Sequence, residues 1–276
     1  MKALKTPLRY PGGKSRAITK MVQFLPDMGR YKHYREPFIG GGSVGLYMTK
    51  TYPHLEIWVN DLYEPLVNFW QQLQDEADEI TTRLKAFKNA YPPPDRAREL
   101  FIESKELVND ARSSLVTRAV SFYIVNKCSF SGLTESSSFS KQASDSNFSL
   151  RGIEKLPAYS ELIQDWKITN LSYEGMFTDD QDVFTYLDPP YEIGTNLYGK
   201  KGDMHKNFDH DVFARMCDGH TNHQMISYNS SQLIRDRFQH WIPNEYDHTY
   251  TMRSVGDYMK NQQERKELVL TNYALR

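Results

Sequence analysis

The stretch YREPFIGGGSVGLYM, Tyr34 to Met48, passes from a short run into a glycine cluster and then into a segment able to open a helix. Read as strand, glycine-rich turn and helix, it makes the fold class α/β. Gly40, Gly42 and Gly45 match G-x-G-x-x-G, a spacing that lets a ligand approach backbone at the start of a helix. Alone, the glycines decide little. The next run, LEIWVND, is strand-like and ends at Asp61, about 20 residues beyond the first glycine, where a carboxylate can bind ribose hydroxyls. A nucleoside-bearing cofactor is therefore expected, and NAD and S-adenosylmethionine fit these residues equally well.

Helical spacing follows over 66–84, and Tyr91-Pro92-Pro93-Pro94 breaks it. Leu100, Phe101, Leu107, Val116, Val120 and Ile124 then restore the helical pattern to about Asn126. From Ser129 to Ser149 the chain turns rich in Ser, Gly, Asn and Thr, with Phe130, Phe139 and Phe148 among them, and reads as a long loop of the kind that carries function. Strands are expected at 166–170, 183–187, 224–229 and 267–274, and a helix at 211–217. The layout is a sheet with crossovers, interrupted by a helical, loop-rich insertion from roughly Glu64 to Asp165.

With 276 residues, 39% hydrophobic and 25% charged, the composition is that of an ordinary globular protein, and no apolar run reaches the length of a membrane span. The start, MKALKTPLRYPGGK, lacks an apolar secretory segment, and two cysteines, Cys128 and Cys217, fit a reducing compartment. A cytoplasmic protein is expected. A net charge of −1 provides no global positive field for nucleic acid, but local basic and aromatic clusters can bind it in a neutral protein. Cys217, His220 and His223 have a spacing that suggests a metal, but no fourth ligand is apparent and Asp218-Gly219 reads as a helix end, so no metal is expected.

RYPGGKSRA, Arg9 to Ala17, resembles the end of a phosphate-binding loop, yet the first glycine of that motif would fall at Leu8 and no apolar strand precedes it. Lys14 must serve something other than a nucleoside triphosphate. Asp188-Pro189-Pro190-Tyr191 directly follows the apolar run Val183 to Leu187, at the carboxyl edge of the sheet where open α/β folds bind ligands. Two prolines remove two N–H donors and leave carbonyls that only accept, a rigid array suited to an amino group. The exocyclic amine of adenine is a poor nucleophile because its lone pair is delocalised. If Asp188 and the Pro189 carbonyl each accept one amino hydrogen, nitrogen is drawn toward tetrahedral geometry, and Asp188 stabilises the charge that develops on it. Tyr191 offers a face for the base.

In this order, YPGGK at Tyr10 to Lys14, EPFIGGGSV at Glu36 to Val44, Asn60-Asp61 and DPPY resemble the Dam-type (D12 class) N6-adenine DNA methyltransferases. The resemblance covers nearly the whole chain. It implies a Rossmann-like methyltransferase fold that uses S-adenosylmethionine, a catalytic domain of 1–64 and 166–276, and a target-recognition domain of 65–165. It implies further that Tyr10, Lys14, Phe38, Gly40, Gly42, Asp61 and, more weakly, Tyr173 hold the cofactor together with Asp188. Asp188, Pro189, Pro190 and Tyr191 are the implied catalytic set. Within VNKCSFSGL, Asn126 and Phe130 match positions that meet DNA, Phe130 as a wedge that helps extrude the base. Relatives that read GATC place an arginine where this chain has Glu135, an acid that cannot donate to guanine, so GATC is not the expected site. The resemblance also implies that Arg253, Lys260, Arg265 and Lys266, like a similarly placed basic segment in relatives, grip phosphates of double-stranded DNA.

Three other assignments remain open from sequence: transfer to cytosine N4 or to adenine in RNA, an NAD-dependent oxidoreductase, and a DNA-binding protein with an inactive methyltransferase core. The oxidoreductase leaves DPPY and the aromatic insertion without a purpose. An intact Asp188 speaks against the inactive core.

Overall fold

The computed structural model describes residues 5–10, 12–132, 137–191, 208–248 and 265–275. Among them, seven strands form one sheet: β1 (His33–Glu36), β2 (Glu56–Asn60), β3 (Lys167–Thr169), β4 (Val183–Leu187), β5 (His223–Asn229), β6 (Ile242–His248) and β7 (Arg265–Thr271). Their order is β3-β2-β1-β4-β5-β7-β6. Strands β1 to β5 pair parallel, whereas β7 runs antiparallel between β5 and β6. All five residues of β4 are buried, as expected of a central strand covered on both faces. This is the Rossmann-like arrangement expected, with β1 and β4 adjacent although far apart in sequence. The chain winds outward from that pair in both directions, so a crevice opens beyond their carboxyl ends. The segments that leave β1 and β4 converge there.

The helices are α1 (Ile18–Met21), α2 (Ser43–Thr51), α3 (Glu64–Asp75), α4 (Ala77–Ala90), α5 (Asp95–Leu107), α6 (Leu115–Cys128), α7 (Lys141–Ser146), α8 (Leu150–Ile153), α9 (Leu156–Leu162), α10 (His210–Asp218) and α11 (Gln232–Arg237). The continuous periodicity of 66–84 resolves into two helices, because Glu76 leaves helical geometry at φ −128° and serves as the end of α3 and the cap of α4. The serine-rich stretch is more structured than its composition implied. Ser140 and Ser149 cap α7 and α8, their hydroxyls accepting the N–H of Ala143 and Gly152. Serines that read as loop are in part helix starts.

Helix α3 lies against the sheet as the first part of the crossover from β2 to β3, and α6 packs on α3. Phe69 stacks on Tyr123 at 5.9 Å, and Trp70 meets Trp166 at 5.8 Å. One apolar core runs from Tyr34, Val59 and Phe184 of the sheet through Trp70 to Phe122 and Phe148. On the opposite face Leu187, Phe213, Ile226, Phe238 and Leu268 make a second cluster. The helical insertion therefore shares its core with one face of the sheet. No helix among the described residues is long and apolar enough to cross a membrane.

Candidate active site

The glycine turn is shaped by its neighbours rather than by the turn alone. Gly40 and Gly42 adopt φ of +46° and +70°, the left-handed region that side chains rarely enter. A Cβ on Gly40 would stand 2.9 Å from Cε1 of Tyr10, and one on Gly42 would stand 2.6 Å from Cζ2 of Trp70. Both positions thus require glycine twice over. The Tyr10 ring lies on the turn, and the indole N–H of Trp70 donates to the Gly40 carbonyl at 3.3 Å. The buried Asn60 amide fastens the strand ends, donating to the carbonyls of Pro37 (3.2 Å) and Leu171 (2.9 Å).

Asp61 leaves the end of β2 with one carboxylate oxygen accepting the Gly40 N–H at 3.0 Å and the other the Tyr63 N–H at 3.1 Å. Burial nevertheless outweighs these bonds and pushes its carboxyl up to about 6. Phe38 and Tyr173 meet at 5.4 Å, and both contact Phe208 and Phe213, forming an aromatic wall beside the turn. Of the expected cofactor residues, the structure thus places Tyr10 over Gly40 and Gly41, Asp61 against Gly40, and Phe38 against Tyr173.

Asp188 emerges from β4 across the crevice. Lys14 Nζ lies 2.7 Å from each of its carboxylate oxygens and 2.9 Å from the Gly12 carbonyl. The ammonium also sits 5.0 Å above the Tyr191 ring. Lys14 therefore joins the N-terminal motif to DPPY directly, 174 positions apart in the chain. Burial raises the Asp188 carboxyl above its ordinary range and Lys14 pulls it back, leaving the net direction upward. Pro189 and Pro190 follow, and Tyr191 packs on the second core cluster with Tyr228 at 6.0 Å. Its hydroxyl donates to Glu267 at 2.6 Å.

Two buried acids in this region were given no role by the sequence: Glu36 only opens the EPFIGGGSV motif, and Glu267 belongs to no motif. Glu267 lies in β7 between Lys266 and the apolar residues that follow, and Glu36 at the end of β1, each 2% exposed. Burial pushes the Glu36 carboxyl to about 8, despite the Tyr34 hydroxyl donating to it at 2.9 Å. An acid whose folded pKa is raised stabilises the fold fully below its unfolded value, and that contribution is lost as pH climbs toward about 8. A tenfold difference in proton affinity between the folded and unfolded chain is worth ~1.4 kcal/mol. Thermal melts from about pH 5 to pH 9 are expected to show the wild-type protein losing stability relative to Glu36→Gln as pH rises. Parallel curves would remove Glu36 as the cause.

The residues expected to meet DNA divide. Phe130 is 45% exposed in the turn after α6, free to meet a partner. Asn126 is not: it is fully buried, and its side chain accepts the Arg9 N–H at 2.9 Å while donating to the carbonyls of Arg9 (2.6 Å) and Gly132 (2.9 Å). With both ends of its amide engaged by backbone, Asn126 holds the turn that presents Phe130 and is not itself a surface contact. Lys266 is exposed, 3.4 Å from a carboxylate oxygen of Glu245, and Arg265 begins β7. Arg253, Lys260 and Glu135 lie outside the described residues. Cys217 is buried, the His220 ring stacks on Phe177 at 5.0 Å, and His223 contacts Tyr31, so the three point to separate neighbours. Among the described residues no group of three or more metal-capable side chains converges.

A family model described as D12 class N6 adenine-specific DNA methyltransferase matches residues 10–254. The chain is 25% identical to the Type II methyltransferase M.MjaIII of Methanocaldococcus jannaschii, over 68% of this chain and 70% of that protein. It is 23% identical to the Type II methyltransferase M1.LlaDCHI of Lactococcus lactis subsp. cremoris, over 96% of this chain and 94% of the relative. A further relative, the modification methylase StsI of Streptococcus sanguinis, is 24% identical over 99% of this chain but only 43% of its own length.

Proposed function

The chain belongs to the D12 class N6 adenine-specific DNA methyltransferases, and from that premise we propose that it transfers a methyl group from S-adenosylmethionine to a flipped-out adenine in double-stranded DNA, with Asp188 as the group that receives the amine. The observation that carries the proposal is the convergence of Asp188, Lys14 and the glycine turn at one crevice, where β1 and β4 end side by side. The residues suit the donor. Asp61 is anchored where it can accept ribose hydroxyls, the side-chain-free Gly40 and Gly42 allow close approach, and Phe38 with Tyr173 offers apolar faces for an adenine ring. S-adenosylmethionine supplies an electrophilic methyl on a sulfonium.

The remaining work belongs to the chain. Asp188 and the Pro189 carbonyl accept the two amino hydrogens of adenine, so that the nitrogen lone pair leaves conjugation and is free to bond carbon. Asp188 offsets the positive charge that then grows on N6 and stands ready to take the proton that N6 must shed. To do so, Asp188 exchanges part of its contact with Lys14 for the substrate amine, and the Gly12 carbonyl keeps the ammonium partnered. Tyr191 stacks the base. We assign target recognition to residues 65–165, with Phe130 as the wedge, and phosphate contacts to the basic residues near β7. A cytoplasmic location fits two free, buried cysteines. The names of the relatives fit methylation at a defined site as the modification half of a restriction system.

The test is direct. Purified protein is incubated with methyl-labelled S-adenosylmethionine and unmethylated duplex DNA, and the nucleosides are separated after digestion. Label is expected in N6-methyldeoxyadenosine. Label in N4-methylcytosine, or transfer only to RNA, would refute the assignment.

A further inference from the structure

Strand β7 runs antiparallel to β5, so its first residues arrive at the edge of the sheet where β4 delivers Asp188. Glu267 is the acid brought there. Its backbone pairs with Asn229 of β5 and Tyr246 of β6, which fixes it from both sides, and its side chain is 2% exposed. Burying a carboxylate is costly unless it is partnered, so an acid buried at this point of β7 calls for a reason. Its carboxylate accepts the Tyr191 hydroxyl at 2.6 Å. Burial raises the Glu267 carboxyl above its ordinary range, as it does that of Asp188, and the Lys14 ammonium, which lies on the same ring, pulls both back.

We propose that Glu267 is a positioning residue for methyl transfer: by accepting the Tyr191 hydroxyl it fixes the plane of the ring on which the target adenine stacks. A phenol ring held only at Cβ rotates about two side-chain bonds. Held also at its hydroxyl by an acid built into three paired strands, it presents a single orientation. The amine of a base stacked on that ring is then presented to Asp188, three residues away, in one geometry. Misplacement of a reacting group by about 1 Å can cost roughly 100-fold in rate, so a contact remote from the reacting atoms has leverage on turnover. The inference rests on the functional assignment above, since it presupposes a base on Tyr191.

The test uses the full chain, methyl-labelled S-adenosylmethionine and unmethylated genomic DNA, with Glu267→Ala, Glu267→Gln, Tyr191→Phe and the double variant Glu267→Ala/Tyr191→Phe. For Glu267→Ala, kcat is expected to fall roughly 10- to 100-fold, with the dissociation constant of S-adenosylmethionine changed by less than about 2-fold. Glu267→Gln keeps an accepting oxygen and is expected to recover most of the loss. The double variant is expected to be no slower than Tyr191→Phe by more than about 2-fold, because both changes break the same bond. Full activity of Glu267→Ala, losses that multiply in the double variant, or a loss that glutamine does not rescue and that follows the melting temperature would overturn the role. Absence of N6-methyladenine in wild-type reactions would instead overturn the functional assignment, and this inference with it.

Discussion

Replacing Asp188 by asparagine is expected to lower the single-turnover methylation rate by about 1000-fold, the scale of losing one preorganised charge-stabilising group. Asparagine keeps the size of the side chain but presents an N–H donor where the substrate amine also donates, and it no longer offsets charge on N6. Binding of S-adenosylmethionine is expected to change far less, because the glycine turn, Asp61 and the Phe38–Tyr173 wall remain. The substitution has a structural side as well: Lys14, 5% exposed, loses its anionic partner and keeps only neutral ones, among them the Gly12 carbonyl and the Tyr191 ring. A melting curve therefore accompanies the rate. If Asp188→Asn stayed folded and methylated within about 10-fold of wild type, Asp188 would not be the group that receives the amine.

The second large effect is one of stability, with a functional consequence. Trp70 is fully buried between the glycine turn and Trp166, and its N–H holds the Gly40 carbonyl. Trp70→Ala is expected to cost ~3–5 kcal/mol, a large share of the roughly 5–15 kcal/mol that keeps a domain folded. For a chain of this size that corresponds to a drop of roughly 6–20 °C in melting temperature. The cavity opens directly beneath Gly42, whose missing side chain is what lets the indole approach. The affinity for S-adenosylmethionine is therefore expected to fall about 10-fold in protein that is still folded, measured by calorimetry at low temperature. A variant with the lower melting temperature and unchanged affinity would show that the turn keeps its shape without Trp70.

Much of the fold was legible where the chain is apolar and local. Val183 to Leu187 reads as a strand and is β4 residue for residue, because a central strand is buried on both faces and needs no alternation. The glycine turn was legible because its spacing is local, whereas the reasons for Gly40 and Gly42, the rings of Tyr10 and Trp70, come from other segments. Strand β6 was missed: Ile242–His248 contains a proline and several polar residues, and it is an edge strand that buries Tyr246. The two-helix division at Glu76 was hidden because the apolar spacing continues across the break.

At the site, Asp188 and Asp61 were legible because each ends a readable strand. Glu267 was not, since nothing local separates a buried acid beside Tyr191 from a solvated one at the start of a terminal strand. Asn126 carries the converse lesson. A polar residue in a motif expected to meet DNA is read most simply as the contact, yet its amide is spent on the backbone of Arg9 and Gly132.

That clasp bears on how such an enzyme can be re-engineered. Arg9 is bound through its own N–H and carbonyl by Asn126, and its guanidinium reaches the Ser129 carbonyl at 2.8 Å, while its neighbours Tyr10 and Lys14 line the crevice. Gly132, at φ +73°, has room for hydrogen only, since a Cβ there would stand 2.6 Å from Arg9. The turn from Asn126 to Gly132 is therefore not a detachable cassette. Exchanging it for the matching segment of a relative is expected to keep the crevice intact only if the donor segment brings an asparagine and a glycine in register with Arg9.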